Sequence, residues 1–450
     1  MTHAANADVQ SSLWDLSKSY GFGRIRAGGQ ASIGIGTTHA DSTVAADNLL
    51  VTDSTEVALI DQLVFQGMTN DAATNHTISL RIGQLADSNY TDLKFHLSGT
   101  ANARRHERLV WNTKGTLVVP TNGFLSFVSP TYTATTTAHV SGRYRIMKAS
   151  KAAELGYFNG GTLPNVASTD TLAGSGTSAG TSKAIVTPLA GHYVEILGFT
   201  YTGHNYNAAL DNSRLGFWDG TTGSDFDTGG VTIFRGYHRG VSGVYQNRVM
   251  IGNTRGCIQG PVGYGVYIQQ TTNVAGSTPK ADFNVIYRYR KATDCINNTG
   301  ASLTTAGKRW WRYVEGITGA AAGNTTSIFD TSTVPSCGAK ILGQAGTMTG
   351  ADNGTANACA CLTIGAANGF GEEFALNGDG NSGATTVSWG IDDDVMVCAT
   401  AQDPRILVVD AGSGALTARS HLAWGTLQKE LNTLNITTQG GKNIRNAWSS

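Results

Sequence analysis

The strongest constraint on the fold is internal repetition. Three strand-like stretches share one outline: Leu59-Ile60-Asp61-Gln62-Leu63-Val64-Phe65-Gln66-Gly67, then Val194-Glu195-Ile196-Leu197-Gly198-Phe199-Thr200-Tyr201-Thr202-Gly203, then Ile341-Leu342-Gly343 continuing to Thr347-Met348-Thr349-Gly350. Each is followed by a shorter match: Leu80-Arg81-Ile82-Gly83, Ser213-Arg214-Leu215-Gly216 and Leu362-Thr363-Ile364-Gly365. Towards the end of each unit, Gly123–Val128 corresponds to Gly263–Ile268 and Arg405–Val409. Arg143–Lys148 then corresponds to Ile286–Lys291 and Ala423–Lys429. The period is roughly 140 residues, too long for a solenoid repeat and the size of a whole domain. A chain of 450 residues accommodates three such units.

Within a unit, apolar and polar residues alternate over short runs separated by Gly, Asn, Thr and Asp, as in half-buried antiparallel strands. Val285, Tyr287 and Tyr289 fall on one face of such a strand, and Ile286, Arg288 and Arg290 on the other. Composition agrees, since 57 glycines and only 14% charged residues disfavour long amphipathic helices. The expectation is an all-β chain of three tandem β-sandwich, jelly-roll-like domains; the Cys…Trp…Cys pattern of immunoglobulin domains is absent. The expected boundaries are an extended N-terminal arm at 1–53, sandwiches at 54–158, 183–296 and 334–450 (the last with a C-terminal tail), and Gly/Ser/Thr-rich linkers at 159–182 and 297–333. A short helix is expected at Ser11–Ser19 within the arm.

Charge and cysteine usage exclude several classes. Lys plus Arg and Asp plus Glu are both 32, which gives no basic footprint for nucleic acid or an anionic membrane. The amino terminus lacks the basic start and apolar core of a secretory signal, and no segment is apolar enough to span a membrane as a helix, so a soluble, unexported chain is expected. Six cysteines, all after the first third, read as buried thiols rather than a disulfide scaffold, with a Cys295 to Cys337 bridge as an alternative.

Motifs with chemistry are weak. Gly176-Thr177-Ser178-Ala179-Gly180 matches a hydrolase nucleophile elbow but lies in a linker without a strand-to-helix frame. Gly380-Asn381-Ser382-Gly383 lacks supporting His and Asp contexts. Gly21-Phe22-Gly23 and Gly34-Ile35-Gly36 are partial phosphate-loop matches. Cys359-Ala360-Cys361 could present two thiols on one strand face, and Asn377–Asn381 begins like a calcium loop but has Ser388 where a bidentate Glu belongs. Glu372-Glu373 and Asp392-Asp393-Asp394 are the only grouped carboxylates that stand out. The expectation is a non-enzyme with no catalytic residues, no metal site and no cofactor.

Two groups of residues point to contacts. Arg143, Arg145 and Lys148 recur at the position of Arg288, Arg290 and Lys291, which suggests a repeated docking or subunit-contact edge. Trp218 and the cluster Trp310, Trp311, Tyr313 offer either an aromatic binding surface or a seal between domains, and the seal is favoured.

With its Gly/Thr/Ala/Asn-rich sandwich repeats ending in runs such as Tyr287-Arg288-Tyr289-Arg290-Lys291, its arm and its missing catalytic cluster, the chain resembles structural proteins of tailed-bacteriophage virions. The resemblance spans all 450 residues at the level of architecture. It implies a place on the virion surface after assembly in the host cytoplasm. The role expected is a capsid decoration (cement) protein that docks through its arm and sandwich edges on the major capsid protein or another virion protein. A homo-oligomer, commonly a trimer, is implied, with neither nucleic acid nor membrane as partner. The alternative is a tail fibre or receptor-binding adhesin that recognises a host-surface glycan.

Overall fold

The computed structural model describes residues 21–27, 50–69, 76–84, 90–97, 105–131, 137–154, 158–159, 163–164, 166–173, 182–204, 210–223, 226–239, 246–270, 280–294, 297–298, 309–315, 325–327, 339–350, 358–365, 373–378, 386–392, 396–398, 403–410 and 416–427. Twenty-four of its strands fall into three series of eight. The first comprises β1 (Gly21–Ala27), β2 (Leu50–Val51), β3 (Glu56–Thr69), β4 (His76–Gln84), β5 (Tyr90–Leu97), β6 (Arg105–Trp111), β7 (Gly123–Thr131) and β8 (Thr137–Lys148). The second comprises β9 (Val166–Ala173), β10 (Ser182–Val186), β11 (His192–His204), β12 (Leu210–Trp218), β13 (Val231–Arg239), β14 (Gln246–Ile251), β15 (Gly265–Gln270) and β16 (Lys280–Lys291). The third comprises β17 (Arg309–Glu315), β18 (Thr325–Ser327), β19 (Ala339–Gly350), β20 (Ala358–Gly365), β21 (Glu373–Gly378), β22 (Thr386–Ile391), β23 (Asp403–Asp410) and β24 (Leu416–Leu427).

Each series builds two antiparallel sheets with one strand order. The orders are β1-β8-β3-β6 with β2-β7-β4-β5, β9-β16-β11-β14 with β10-β15-β12-β13, and β17-β24-β19-β22 with β18-β23-β20-β21. This order is that of a jelly roll. The sheets that begin with the first strand of a series are called the first, second and third outer sheets below.

The long strands β3, β11 and β19 carry the same irregularity. Their pairing with β8, β16 and β24 slips by one residue at Asp61, Leu197 and Leu342. A bulge shifts the inward phase, so the buried residues run Ala58, Ile60, then Leu63, Phe65 in β3 and Val194, Ile196, then Phe199, Tyr201 in β11. Beyond the sixth strand the first two series share another turn. Lys114 and Gly115 have φ of 51° and 82°, Arg255 and Gly256 of 55° and 68°, and the Thr113 and Thr254 hydroxyls donate to the carbonyls of Ile60 and Ile196. The core of the first sheet pair is drawn from both its sheets, with Trp111, Phe95 and Phe65 at its centre.

Several expected boundaries are displaced. The segment read as an arm contains β1, which pairs with β8 from Gly21↔Ile146 to Ala27↔Val140, and β2, which pairs with β7. Gly21-Phe22-Gly23 therefore lies in a strand and not in a phosphate loop. The segment 159–182 contains β9, paired along its whole length with β16, and 297–333 contains β17 and β18. Among the described residues β1, β2, β9 and β18 pair on one side only, and the second side of β17 meets just Asn297 and Asn298. Gly- and Thr-rich sequences suffice for such strands, and their hydrophobic signal is weak. Ser11–Ser19, Gly34–Gly36, Gly176–Gly180, Gly380–Gly383, Cys295 and Cys337 lie outside the described residues. Cys257 is a buried free thiol in the second core.

Candidate functional site

The residues with the most polar chemistry gather where one sheet pair meets the next. At the first joint, edge strand β5 lies against the second outer sheet. Asn284 of β16 clamps its main chain: Lys94 N donates to Asn284 Oδ1 at 2.8 Å and Asn284 Nδ2 donates to the Lys94 carbonyl at 2.8 Å. Asn284 Nδ2 also lies 2.6 Å from Thr200 Oγ1. Leu197, Ile286 and the half-buried Met250 of the second outer sheet pack into the first core. Trp111 Nε1 and Thr116 Oγ1 donate to the carbonyls of Ile251 (2.9 Å) and Gly252 (2.7 Å). Gly252 has to be glycine here, because a Cβ would stand 1.5 Å from the Asn112 carbonyl oxygen.

The second joint repeats this arrangement with other side chains. Edge strand β13 lies against the third outer sheet, and Thr347 Oγ1 accepts from Tyr237 N (3.1 Å) while donating to the Arg235 carbonyl (2.7 Å). The Ser420 hydroxyl donates to the same carbonyl, and Arg235 forms an ion pair with Glu315 of β17. Trp311 Nε1 donates to the Gln259 carbonyl at 2.9 Å, and Trp311, Leu342, Ala345, Leu422 and Trp424 join the second core. Close approach of Trp424 requires Gly343, whose Cβ would meet the indole at 2.2 Å. Lys94 and Tyr237 occupy matching positions, two residues after the partners of Arg81 and Arg214. In both joints, main-chain groups on the open side of an edge strand are captured by side chains of the next outer sheet, which satisfies donors and acceptors that burial would otherwise orphan.

One carboxylate ties the three series together. Asp392 Oδ2 accepts from Gly252 N (2.8 Å) and Asn253 N (2.9 Å), while Oδ1 pairs with Lys114 Nζ at 3.1 Å. Beside it, Ser388 bonds both N and O of Arg248. Another carboxylate, Glu195, is fully buried in the second outer sheet. It is held by Arg288, by Arg309 Nη1 at 3.0 Å and by Gln259 Nε2 at 3.0 Å. Removing one partner of such a buried network leaves an uncompensated charge, at a cost of about 3–5 kcal/mol. Burial dominates the protonation of the buried ionisable groups that shift. It pushes Tyr287 up to about 12 and His421 down to about 3, and it raises Asp61 against the opposing pull of Arg145.

The residues expected to form contacts divide by environment. Arg145 is bound to Asp61 at 2.9–3.0 Å and Arg288 to Glu195, so both serve packing within a sheet; Arg290 is half-buried. Arg143, Lys148 and Lys291 are exposed. Trp218, Trp310 and Trp311 are at most 9% exposed and Tyr313 is half-buried, donating to Glu315 at 3.0 Å. An exposed aromatic platform is therefore not what these residues form. Trp311 seals the second joint, Trp310 lies on the opposite face of β17, and Trp218 packs on Tyr267 and Phe226. Among the described residues no group of three or more His, Cys, Asp or Glu is placed to hold a metal ion. The joints leave little trace in the sequence, although the repeated Asn112-Thr113-Lys114-Gly115 and Asn253-Thr254-Arg255-Gly256 mark the turn beside Asp392.

No family model matches the chain, and no curated protein matches it. Among solved structures it is similar to a chain in the atomic structure of Sulfolobus turreted icosahedral virus, at 9% identity over 83% of this chain and 84% of that one, with a TM-score of 0.19. A chain described under the triple jelly roll fold and turret assembly of an archaeal virus matches at 10% identity, 83% of each chain and a TM-score of 0.17. The tandem CBM22 domains of Paenibacillus barcinonensis Xyn10C match at 10% identity, 54% of this chain and 81% of that one, with a TM-score of 0.15. Superpositions at this level carry no argument, and the jelly-roll assignment rests on the strand order above.

Proposed function

We propose that this chain is a non-enzymatic structural protein of a virus particle, built from three tandem jelly-roll domains, that attaches to the particle surface as a decoration protein. The domains then correspond to the three strand series, about 21–148, 166–291 and 309–427, and not to the narrower units flanked by an arm and two linkers. The observation that carries the reading is that polar, charged and aromatic side chains serve to join the domains: Glu195, Asp392, Trp311 and Asn284 all work at the joints or beneath them. Jelly rolls serve widely as viral shell and lectin domains, and joints this polar and this well packed suit a rigid stack more than a cleft for chemistry.

Residues 1–20 precede every described strand, so a chain lacking them keeps both strands β1 and β2. The test mixes the full chain and this truncation with viral shells stripped of their surface proteins and scores co-sedimentation. Binding by the full chain supports the reading, and its loss on truncation assigns docking to the amino-terminal segment. Absence of shell binding, together with binding of the full chain on a glycan array, overturns it in favour of an adhesin.

A further inference from the structure

The two joints are one heterologous contact used twice: the fifth strand of a series docks on the outer sheet of the next. Among the described residues two surfaces of this kind are left over. The first outer sheet meets no preceding edge strand: the short helix Ala149–Glu154 packs on its Val57, Leu59 and Met147 end while Ser141 and Arg143 stay exposed, and β21, the fifth strand of the last series, meets no following sheet. In its own sheet β21 pairs only with β20 among the described residues.

The leftover surfaces are complementary in charge. On the first outer sheet, Arg143 is exposed and Arg24 stands directly opposite it in the β1–β8 register, while Arg26 stands opposite the exposed Ser141. Directly opposite residues share a face, so positions 24, 26 and 143 lie together on the outward face with the Arg145–Asp61 pair beside them. The bulges align Arg143 with Ile286 and Trp424, and Ser141 with Asn284 and Leu422; at the existing joints Asn284 clamps an edge strand and Ile286, Leu422 and Trp424 pack into the neighbouring core. The other element carries a carboxylate: β21 (Glu373–Gly378) opens with Glu373 and holds no Lys or Arg. Glu373 faces Thr363 in the register just as Arg235 faces Arg214, which puts it at the position of Arg235, the residue whose side chain already bridges to the next outer sheet through Glu315.

We infer that the chain associates head to tail with a second copy of itself, the edge strand β21 of one, with Glu373 at its start, docking on the arginine-bearing first outer sheet of the other. The contact continues the internal joint with an ionic seal in place of the apolar one. A heterologous contact of this kind closes into a ring or runs on as an open filament. The inference stands apart from the virion reading, since self-association is measured on the pure protein and shell attachment is not.

Sedimentation velocity of the full chain over a range of concentrations and ionic strengths tests it. Association that weakens with added salt is expected, and Arg143→Glu or Glu373→Arg alone should each weaken it by at least about tenfold. Mixing the two variants should restore a heterodimer, because the charge-reversed face of one then meets the charge-reversed strand of the other. Far-UV circular dichroism and the melting temperature of each variant verify that these surface changes leave the fold intact. A chain that stays monomeric at all concentrations and low salt overturns the inference and makes the arginine face a solubility cap, as terminal repeats carry. Self-association unchanged by both variants also overturns it, by moving the contact to another surface.

Discussion

The outward faces of the first and third outer sheets occupy the same place in the same strand order and look nothing alike. Where the first has Asp61, Ser141 and Arg143, the third has Leu342, Leu422 and Trp424. The first set is polar and charged, with Ser141 and Arg143 exposed and Asp61 paired with Arg145, and the third is packed into the neighbouring core. The second outer sheet is intermediate: Leu197 and Ile286 enter the first core while Asn284 clamps a main chain. Burial by a neighbour, and not strand geometry, decides what these positions hold. A Leu or Trp left in water forgoes roughly 1.5–3 kcal/mol of burial, and an Arg buried without a partner costs more than that.

Substitutions at matched positions test this contrast. The largest effect is expected from Trp424→Ala, which opens a cavity between the third outer sheet and the second core and should cost about 3–5 kcal/mol in denaturant unfolding. A loss below about 1 kcal/mol would show that the second joint is not packed as described. A smaller effect follows from acid. His421 lies fully buried against Trp389, at 5.7 Å between ring centroids, and burial lowers its pKa from 6.5 to about 3. Between those values the unfolded chain binds a proton that the folded chain refuses, so stability falls as pH drops below about 6.5, by about 2 kcal/mol at pH 5. His421→Leu should flatten that part of the pH–stability curve, and an unchanged slope would assign the acid sensitivity elsewhere. Thr347→Val keeps the shape but strips the hydroxyl that serves Tyr237 N and the Arg235 carbonyl, for a loss of about 1–3 kcal/mol by thermal unfolding. Arg143→Ala, at the end of the first face that the helix Ala149–Glu154 leaves open, should change monomer stability by no more than about 0.5 kcal/mol. A loss as large as that of Trp424→Ala would mean that this end too is covered within a single chain.

The register of the repeat is partly legible in the sequence. Similarity aligns Arg143 with Ile286, as the β-ladders do, but places Ala423 at that position where the ladder puts Trp424, because the third series keeps the strand and not the Tyr-Arg pattern. Edge strands β1, β9 and β17 look like arm and linker. Each has a single long neighbour and needs no continuous apolar face, so alternation, the signal that reveals β3 and β11, is faint in them.

The all-β class, the repeat of roughly 140 residues and the strand-bearing matches follow from the sequence alone, since period-two alternation and glycine-rich turns are local properties of the chain. Which faces are covered was decided only by the tertiary structure. Trp311 and Asp392 acquire their roles from residues far away in the chain, in the carbonyl of Gln259, the amides of Gly252 and Asn253, and the ammonium of Lys114. Such partners are set by how one sheet pair stacks on the next, a long-range outcome that local patterning does not encode.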